Sequence, residues 1–420
     1  MGDRYYQNKN KIINDPVYGF INIPDELIFD LMEHPYFQRL RAIKQLGLTH
    51  YVYPAAMHTR FQHALGSVYL MNMALDVIHQ KGYDLDPEDR LGAMVAILLH
   101  DIGHGPFSHA LENVFVNEIG HEKLSLMFME ELNRQFGGRL ENAIQIFTGN
   151  HPKPFLHQLV SSQVDMDRLD YLRRDTFFTG VSEGVVGSER IIKMLRVSDD
   201  QLVVDIKGIY SIEKFLIARR LMYWQVYMHK TVTVAEQMLI KALERARELT
   251  LSGEKLEVSP VLGKLLSMEK PNASVLENPK EFLNLFAKLD DSDVFSALKS
   301  WAESSDTILS KLSSGILNRR LLGIRIQDKP YEDEIVEQMR EMVMDREGLS
   351  YNESKCFVFT DSLSNSTYDD VTDQVMLREN SGSLVELSKV SDIINYSMIS
   401  HVKSKYYLCH PKWVWAEFGQ

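Results

Sequence analysis

Cysteine is scarce in this chain of 420 residues. Cys356 and Cys409 are the only two, and neither sits in a CxxC pair, which argues against a thiolate metal site and for two ordinary reduced thiols. Positive charge is also in deficit: 46 Lys and Arg face 58 Asp and Glu, a net charge of −12. That balance withholds the basic footprint needed to grip nucleic acid or an anionic membrane in general, although it leaves room for a local basic pocket that takes phosphates. Apolar runs of about 18 residues are missing, so no membrane span is expected. The opening "MGDRYYQNKNKIINDP" lacks the apolar stretch of a secretion signal, and Tyr6 breaks the myristoylation pattern that Gly2 would begin. Repeats and low-complexity segments are absent too. The expected compartment is the cytoplasm.

What is present is a globular composition, 45% hydrophobic and 25% charged, on a chain long enough for a large core. Helical periodicity dominates the first 250 residues. "PDELIFDLMEHPYFQRLRAIKQL" has apolar residues at helical spacing with a break at Pro35. "TRFQHALGSVYLMNMALDVIHQKG" is a long amphipathic run that stops at Gly82. "DPEDRLGAMVAILLHD" opens with Asp86 as a cap and Pro87 in the first turn, and ends where "DIGHGP" breaks it. "HEKLSLMFMEELNRQFG", "FLHQLVSSQVDMDRLDYLRRDTF" and "SIEKFLIARRLMYWQVYMHKTVTVAEQMLIKALERARELT" are predicted helices, with "QLVVDIK" a short strand before the last. From Leu321 the texture mixes strands ("LLGIRIQ", "KCFVFTD"), a helix ("YEDEIVEQMREMVMDREG") and a hairpin that turns at Ser381 and Gly382. The expected fold is mainly α. It has a helical core over residues 1–250, a helical connection over 251–314 and a smaller α+β lobe over 315–420.

Three of the 14 His fall within the 13 residues of "LLHDIGHGPFSHA", namely His100, His104 and His109. His100 and Asp101 end an apolar helix, where an imidazole and a carboxylate can reach one cation. Two ligands do not make a stable site. Neighbouring helices offer His58 and His63 in "HTRFQHALG", and Asp165, Asp167, Asp170 and Asp175 in "DMDRLDYLRRD". Each of these alone reads as an ordinary packed His or a solvated acidic face. Their combination and order point to a metal.

That order, H…HD…D, resembles the HD-domain metal phosphohydrolases, and it maps to His63, His100, Asp101 and Asp167. Together with "YPAAMHTRFQHALG", "HDIGHGPFSH", His121-Glu122 and "DMDRLDYLRRD", it is similar to the deoxynucleoside triphosphate triphosphohydrolase branch over roughly residues 12–235. The resemblance implies an HD-domain helical core; the smaller α+β lobe rests on the residue pattern. The resemblance also implies one divalent metal ion, and a mixed N/O ligand set suits Mn, Fe, Ni, Zn or Mg without choosing. His109 would face the α-phosphate, and His121 beside Glu122 would move the proton. Glu112 would support it where Asp is common in the branch. His104, Arg60 and Arg168 would meet phosphates, Arg168 standing where Lys is frequent. Gln45 and Leu46 would exclude a 2′-hydroxyl, Tyr171 and Asp175 would take the sugar 3′-hydroxyl, and Tyr227 would pack on sugar and base.

The same resemblance implies a homodimer or homotetramer with an effector nucleotide between subunits. It would be held by Asn14, Asp15, Glu33 (where Asp is usual), Gln38, Arg41, Arg190 and Lys207. The implied reaction is hydrolysis of a dNTP to deoxynucleoside and triphosphate. Local chemistry alone supports metal-assisted phosphoester hydrolysis. The alternatives are an HD phosphatase or phosphodiesterase on monophosphates, cyclic nucleotides or alarmones, and a catalytically silent nucleotide sensor. A nucleic-acid-binding role has the weakest support because of the acidic balance.

Overall fold

A computed structural model describes residues 11–107, 119–268, 278–365, 374–393 and 403–418. It opens with a hairpin, β1 (Ile12–Asp15) and β2 (Gly19–Asn22), which the periodicity did not announce. Helices α1 (Glu26–Glu33) and α2 (Pro35–Gln38) follow, parted at His34 and Pro35 as expected. Next come α3 (Arg60–Gln80), α4 (Pro87–Leu99), α5 (His121–Gln135), α6 (Glu141–Phe147), α7 (Pro154–Val160), α8 (Met166–Thr179) and α9 (Ser188–Met194). Asp86 caps α4 by accepting from the Glu88 amide at 2.8 Å, as its sequence proposed.

The strand "QLVVD" is β4 (Gln201–Asp205), and it pairs with β3 (Leu195–Ser198), which the sequence reading missed. The signal for β3 was the Asp199-Asp200 pair. Both residues have positive φ, 50° and 56°, the backbone that a two-residue hairpin turn requires.

The run expected as one helix over residues 211–250 is two, α10 (Ile209–Met222) and α11 (Lys230–Leu251). Between them, Tyr223–Tyr227 form a π-helical turn, and His229 starts α11 by accepting from the Thr231 amide at 3.1 Å. The wide turn interrupts the 3.6-residue repeat, a distortion common beside functional sites.

Helices α12 (Pro260–Ser267), α13 (Pro279–Phe286), α14 (Asp291–Trp301) and α15 (Thr307–Leu317) complete the middle of the chain. Beyond them, β5 (Gly323–Gln327), β6 (Phe359–Asn365) and β9 (Lys403–His410) form an antiparallel sheet in the order β5-β9-β6. Helix α16 (Asp333–Glu347) lies between the first two strands in sequence. The hairpin of β7 (Met376–Arg378) and β8 (Leu384–Glu386) turns at Gly382 as expected, but it crosses back to the N-terminal half, where β7 pairs in parallel with β4. One hydrophobic cluster runs from Ile21 to Val414, so the C-terminal elements share the core of the helical part. None of the described helices is long and apolar enough to cross a membrane.

Candidate active site

Three elements bring the metal candidates together. His63 lies one turn into α3, His100 and Asp101 follow the last turn of α4, and Asp167 sits in the first turn of α8. His63 Nε2 is 3.3 Å from His100 Nε2, 3.7 Å from Asp101 Oδ2 and 3.1 Å from Asp167 Oδ1. His100 Nε2 is 3.5 Å from Asp101 Oδ1 and 3.4 Å from Asp167 Oδ1. A cation about 2.1 Å from each donor places neighbouring donors about 3.0 Å apart at right angles or about 3.4 Å apart tetrahedrally, and the spacings of the two imidazoles to each other and to each carboxylate are close to these.

The ring tautomers agree. His63 Nδ1 meets Asp170 Oδ2 at 2.7 Å, and His100 Nδ1 meets the Ile97 carbonyl at 2.6 Å. Each Nδ1–H therefore donates outward and each Nε2 lone pair faces the shared point, the arrangement that orients metal-binding imidazoles. Burial alone would lower the His63 imidazole, but hydrogen bonds to Asp167 and Asp170 outweigh it and hold it up to about 10. Burial would likewise raise Asp167, yet His100 and His63 keep its carboxyl well below the usual range. A proton on His63 and a cation at the same point are competitors.

Asp101 is also paired with Arg60, and His104 Nε2 lies 3.3 Å from Asp101 Oδ1. Both residues are buried, and they reach the metal point through Asp101 instead of lining open space. Burial, then the Arg60 charge, holds the His104 imidazole well below its ordinary range, so it is neutral. Its ring stacks on His121 at 4.0 Å and 14°. Gly103 permits that stack: a Cβ there would come within 2.3 Å of the His121 carbonyl and 2.4 Å of the Ser125 amide. Ser125 closes the loop, accepting from the Gly103 amide at 2.9 Å and donating to the His100 carbonyl at 2.6 Å. His109 and Glu112 lie outside the described residues.

His100, Asp101, His121, Glu122, Lys123, His157 and Asp167 line a cleft of about 540 Å³. The expected sugar side lies farther along α8. Asp175 is buried, and both its oxygens are engaged, by His58 Nε2 at 2.8 Å and by the Tyr227 hydroxyl at 2.7 Å. Burial and the Asp175 carboxylate push the Tyr227 phenol well up, so it remains a donor. The Tyr171 and Tyr227 rings meet edge to face at 6.2 Å. Gln45 joins this side through its backbone N–H, which donates to the His58 backbone carbonyl at 2.9 Å, and Leu46 follows at the start of the next turn. Arg168 is half-buried and paired with Asp165, the N-cap of α8.

Asp170, one of the acids offered as a metal candidate, instead forms a buried pair with Arg174 beneath His63. Arg174 and several other residues here were not singled out from sequence. Asp291 ties the Lys44 amide (3.1 Å) to the Phe107 amide (3.2 Å), joining the Gln45 segment to the histidine loop. Arg39 donates to the His104 carbonyl at 2.9 Å. Arg219, buried on α10, reaches Gln163 Oε1 at 3.2 Å.

Of the residues implied for an effector, Asn14, Glu33, Arg41, Arg190 and Lys207 are exposed. Gln38 is half-buried and bonded to Arg41 Nε at 2.8 Å. Asp15 is buried and ion-paired to Arg174, so its carboxylate does not face an effector.

Gly66 makes the Asp170–Arg174 pair possible. A Cβ at this position of α3 would lie 1.9 Å from Asp170 Oδ1 and 2.3 Å from Arg174 Nη2. Gly→Ala inside a helix ordinarily stabilises by about 0.5–1 kcal/mol. Here Gly66→Ala is expected to destabilise by about 2–4 kcal/mol, because it drives apart a buried ion pair. Urea midpoints of the two proteins check the sign.

Comparison with known proteins agrees with this geometry. Residues 60–175 match the family model of the HD domain, and residues 186–259 match that of the HD-associated region. The Bacillus subtilis protein YwfO, which has no assigned activity in its name, is 32% identical over 96% of this chain and 93% of its own length. A Dictyostelium discoideum protein named deoxynucleoside triphosphate triphosphohydrolase SAMHD1 homolog is 32% identical over 66% of this chain, but this chain spans only 54% of it. The crystal structure of a phosphohydrolase from Bacteroides thetaiotaomicron superposes with a TM-score of 0.92 at 48% identity, covering 96% of this chain and all of that one (100%). The described His-Asp cluster sits inside the matched span, and the chain belongs to the HD-domain family of metal-dependent phosphohydrolases.

Proposed function

We propose that this chain hydrolyses deoxynucleoside triphosphates at the α-phosphate. Water adds to the α-phosphorus, the bond from that phosphorus to the sugar O5′ breaks, and a proton is delivered to O5′, so deoxynucleoside and inorganic triphosphate leave. The observation that carries this reading is the alignment along α8. Asp167, Tyr171 and Asp175 are spaced by four residues, so the metal ligand, the aromatic wall and the acid that holds Tyr227 follow one face. A nucleoside laid against Tyr171 and Tyr227 brings its 5′-phosphates to Asp167 and the two imidazoles. The name of the Dictyostelium relative supports the same substrate class.

His63, His100, Asp101 and Asp167 would hold one divalent ion. When bound, it supplies polarisation of the phosphoryl group and a lowered pKa for water. His121 is the group placed to hand over the proton: it heads α5, lines the cleft and is braced by His104. Exposed Arg41, Arg190 and Lys207 support a regulatory nucleotide bound between copies of the chain, as a dimer or tetramer.

The test is a panel of dNTPs, NTPs, nucleoside monophosphates, cyclic nucleotides and alarmones with Mn, each with and without dGTP as effector. Triphosphate release from dNTPs, with a rise in molecular mass and turnover on dGTP, is the expected result. Orthophosphate release from monophosphates, or opening of cyclic nucleotides, would assign a different HD chemistry. Inactivity with stoichiometric metal would make the chain a sensor.

A further inference from the structure

The buried pair beneath His63 continues to the first strand of the chain. Asp170 Oδ2 meets His63 Nδ1 at 2.7 Å. Arg174 grips Asp170 with both edges of its fork, Nε to Oδ2 at 2.9 Å and Nη2 to Oδ1 at 3.0 Å. Arg174 Nη1 then donates to Asp15 Oδ2 at 2.8 Å. Asp15 Oδ1 is fixed in turn by the amides of Val17 and Tyr18 at 2.9 and 3.0 Å, at the bend between β1 and β2. His63, Asp170 and Arg174 are fully buried at 0%, and Asp15 is 4% exposed. The Tyr18 ring covers the guanidinium, 5.6 Å away.

We infer that Asp15 and Arg174 are positioning residues for the metal site. The hairpin of β1 and β2, which lies outside the span matching the HD domain, completes the support of His63. The physical argument is one of charge and shape. A buried carboxylate persists only when paired, and a bidentate fork fixes its plane as well as its charge. With Arg174 in place, Asp170 has one oxygen lone pair aimed at His63 Nδ1, which sets both the tautomer and the ring orientation. Asp15 holds Arg174 from the far side through Nη1, the edge of the guanidinium that Asp170 does not reach. Removing the negative charge at residue 15 lets Arg174 shift, and Asp170 with it. The consequence reaches Nε2, where small errors in donor placement cost affinity. Partners of this kind are typically worth about 10–100-fold in metal affinity.

This inference rests on the reading of His63 as a metal ligand, and the experiment separates the two. Asp15→Asn keeps the oxygen that caps the turn and replaces the one that faces Arg174 with an amide. In the full chain, Mn titration of Asp15→Asn should show affinity about tenfold or more weaker, with the far-ultraviolet spectrum retained. In the Zn-loaded chain, the nitrogen chemical shifts of His63 should move away from a single Nδ1–H tautomer. Arg174→Lys, which keeps the charge and loses the fork, should do the same, and it serves if Asp15→Asn does not fold. Asp167→Ala is the reference. If it abolishes Mn binding while Asp15→Asn and Arg174→Lys leave both affinity and His63 tautomer unchanged, the hairpin is merely structural and the inference is overturned. If Asp167→Ala also leaves binding intact, the metal reading fails, and the inference with it.

Discussion

Asp167→Ala is expected to lose the metal and at least about 10³-fold in kcat, since the polarisation a bound cation supplies is worth several kcal/mol. The fold should survive. Asp167 is a half-exposed residue of the first turn of α8, and Asp165 remains to cap that helix through the Arg168 amide at 2.6 Å. The loss falls on the donor set: His63 and His100 would keep their outward hydrogen bonds to Asp170 and Ile97 but face each other with one carboxylate fewer. Metal content after dialysis, turnover and thermal unfolding, measured on one preparation, check the three parts together. Activity and stoichiometric metal in the purified variant would remove Asp167 from the ligand set.

The second large effect belongs to His121. His121→Ala should bind metal with unchanged stoichiometry and lose about 10²–10⁴-fold in kcat, the usual worth of a placed proton donor. His121 sits on the cleft wall and its ring lies flat on His104 at 4.0 Å, yet its removal deletes no donor from the group that surrounds His63. Wild-type kcat in His121→Ala would refute the role.

Much of the candidate metal cluster was legible in the sequence, for a physical reason. His100-Asp101 stands where an apolar helix ends at glycines, and His63 and Asp167 recur on helices at the correct order along the chain. A site that needs several elements to end at one point leaves marks at several helix ends. The supports were not legible. Asp170 and Asp175 look alike in "DMDRLDYLRRD", yet one orients His63 and the other holds Tyr227 and His58. Arg174, to which the sequence assigned no role, is fully buried at 0%. Asp15 was assigned to an effector because its neighbours resemble such a segment, and the structure spends its charge inside. Gly66 gave no signal, since what it accommodates comes from another helix. The β1–β2 and β3–β4 hairpins were missed because four- or five-residue strands carry too few alternations to register as a period. The π-helical turn was missed because aromatic residues at its position continue a helical pattern.

The parallel pairing of β4 with β7 has a consequence for the order in which the molecule is made. Val204 and Asp205 wait for Leu377 and Arg378, with most of the C-terminal half still to be synthesised. Until then β4 carries an open edge on the catalytic half, of the kind that invites pairing with another chain. Long loops must close before this contact forms, which places it among the slow steps of folding. The catalytic helices are therefore translated well before the sheet beside them is sealed, and a nascent or truncated chain that stops short of residue 376 carries that exposed strand into a crowded cell.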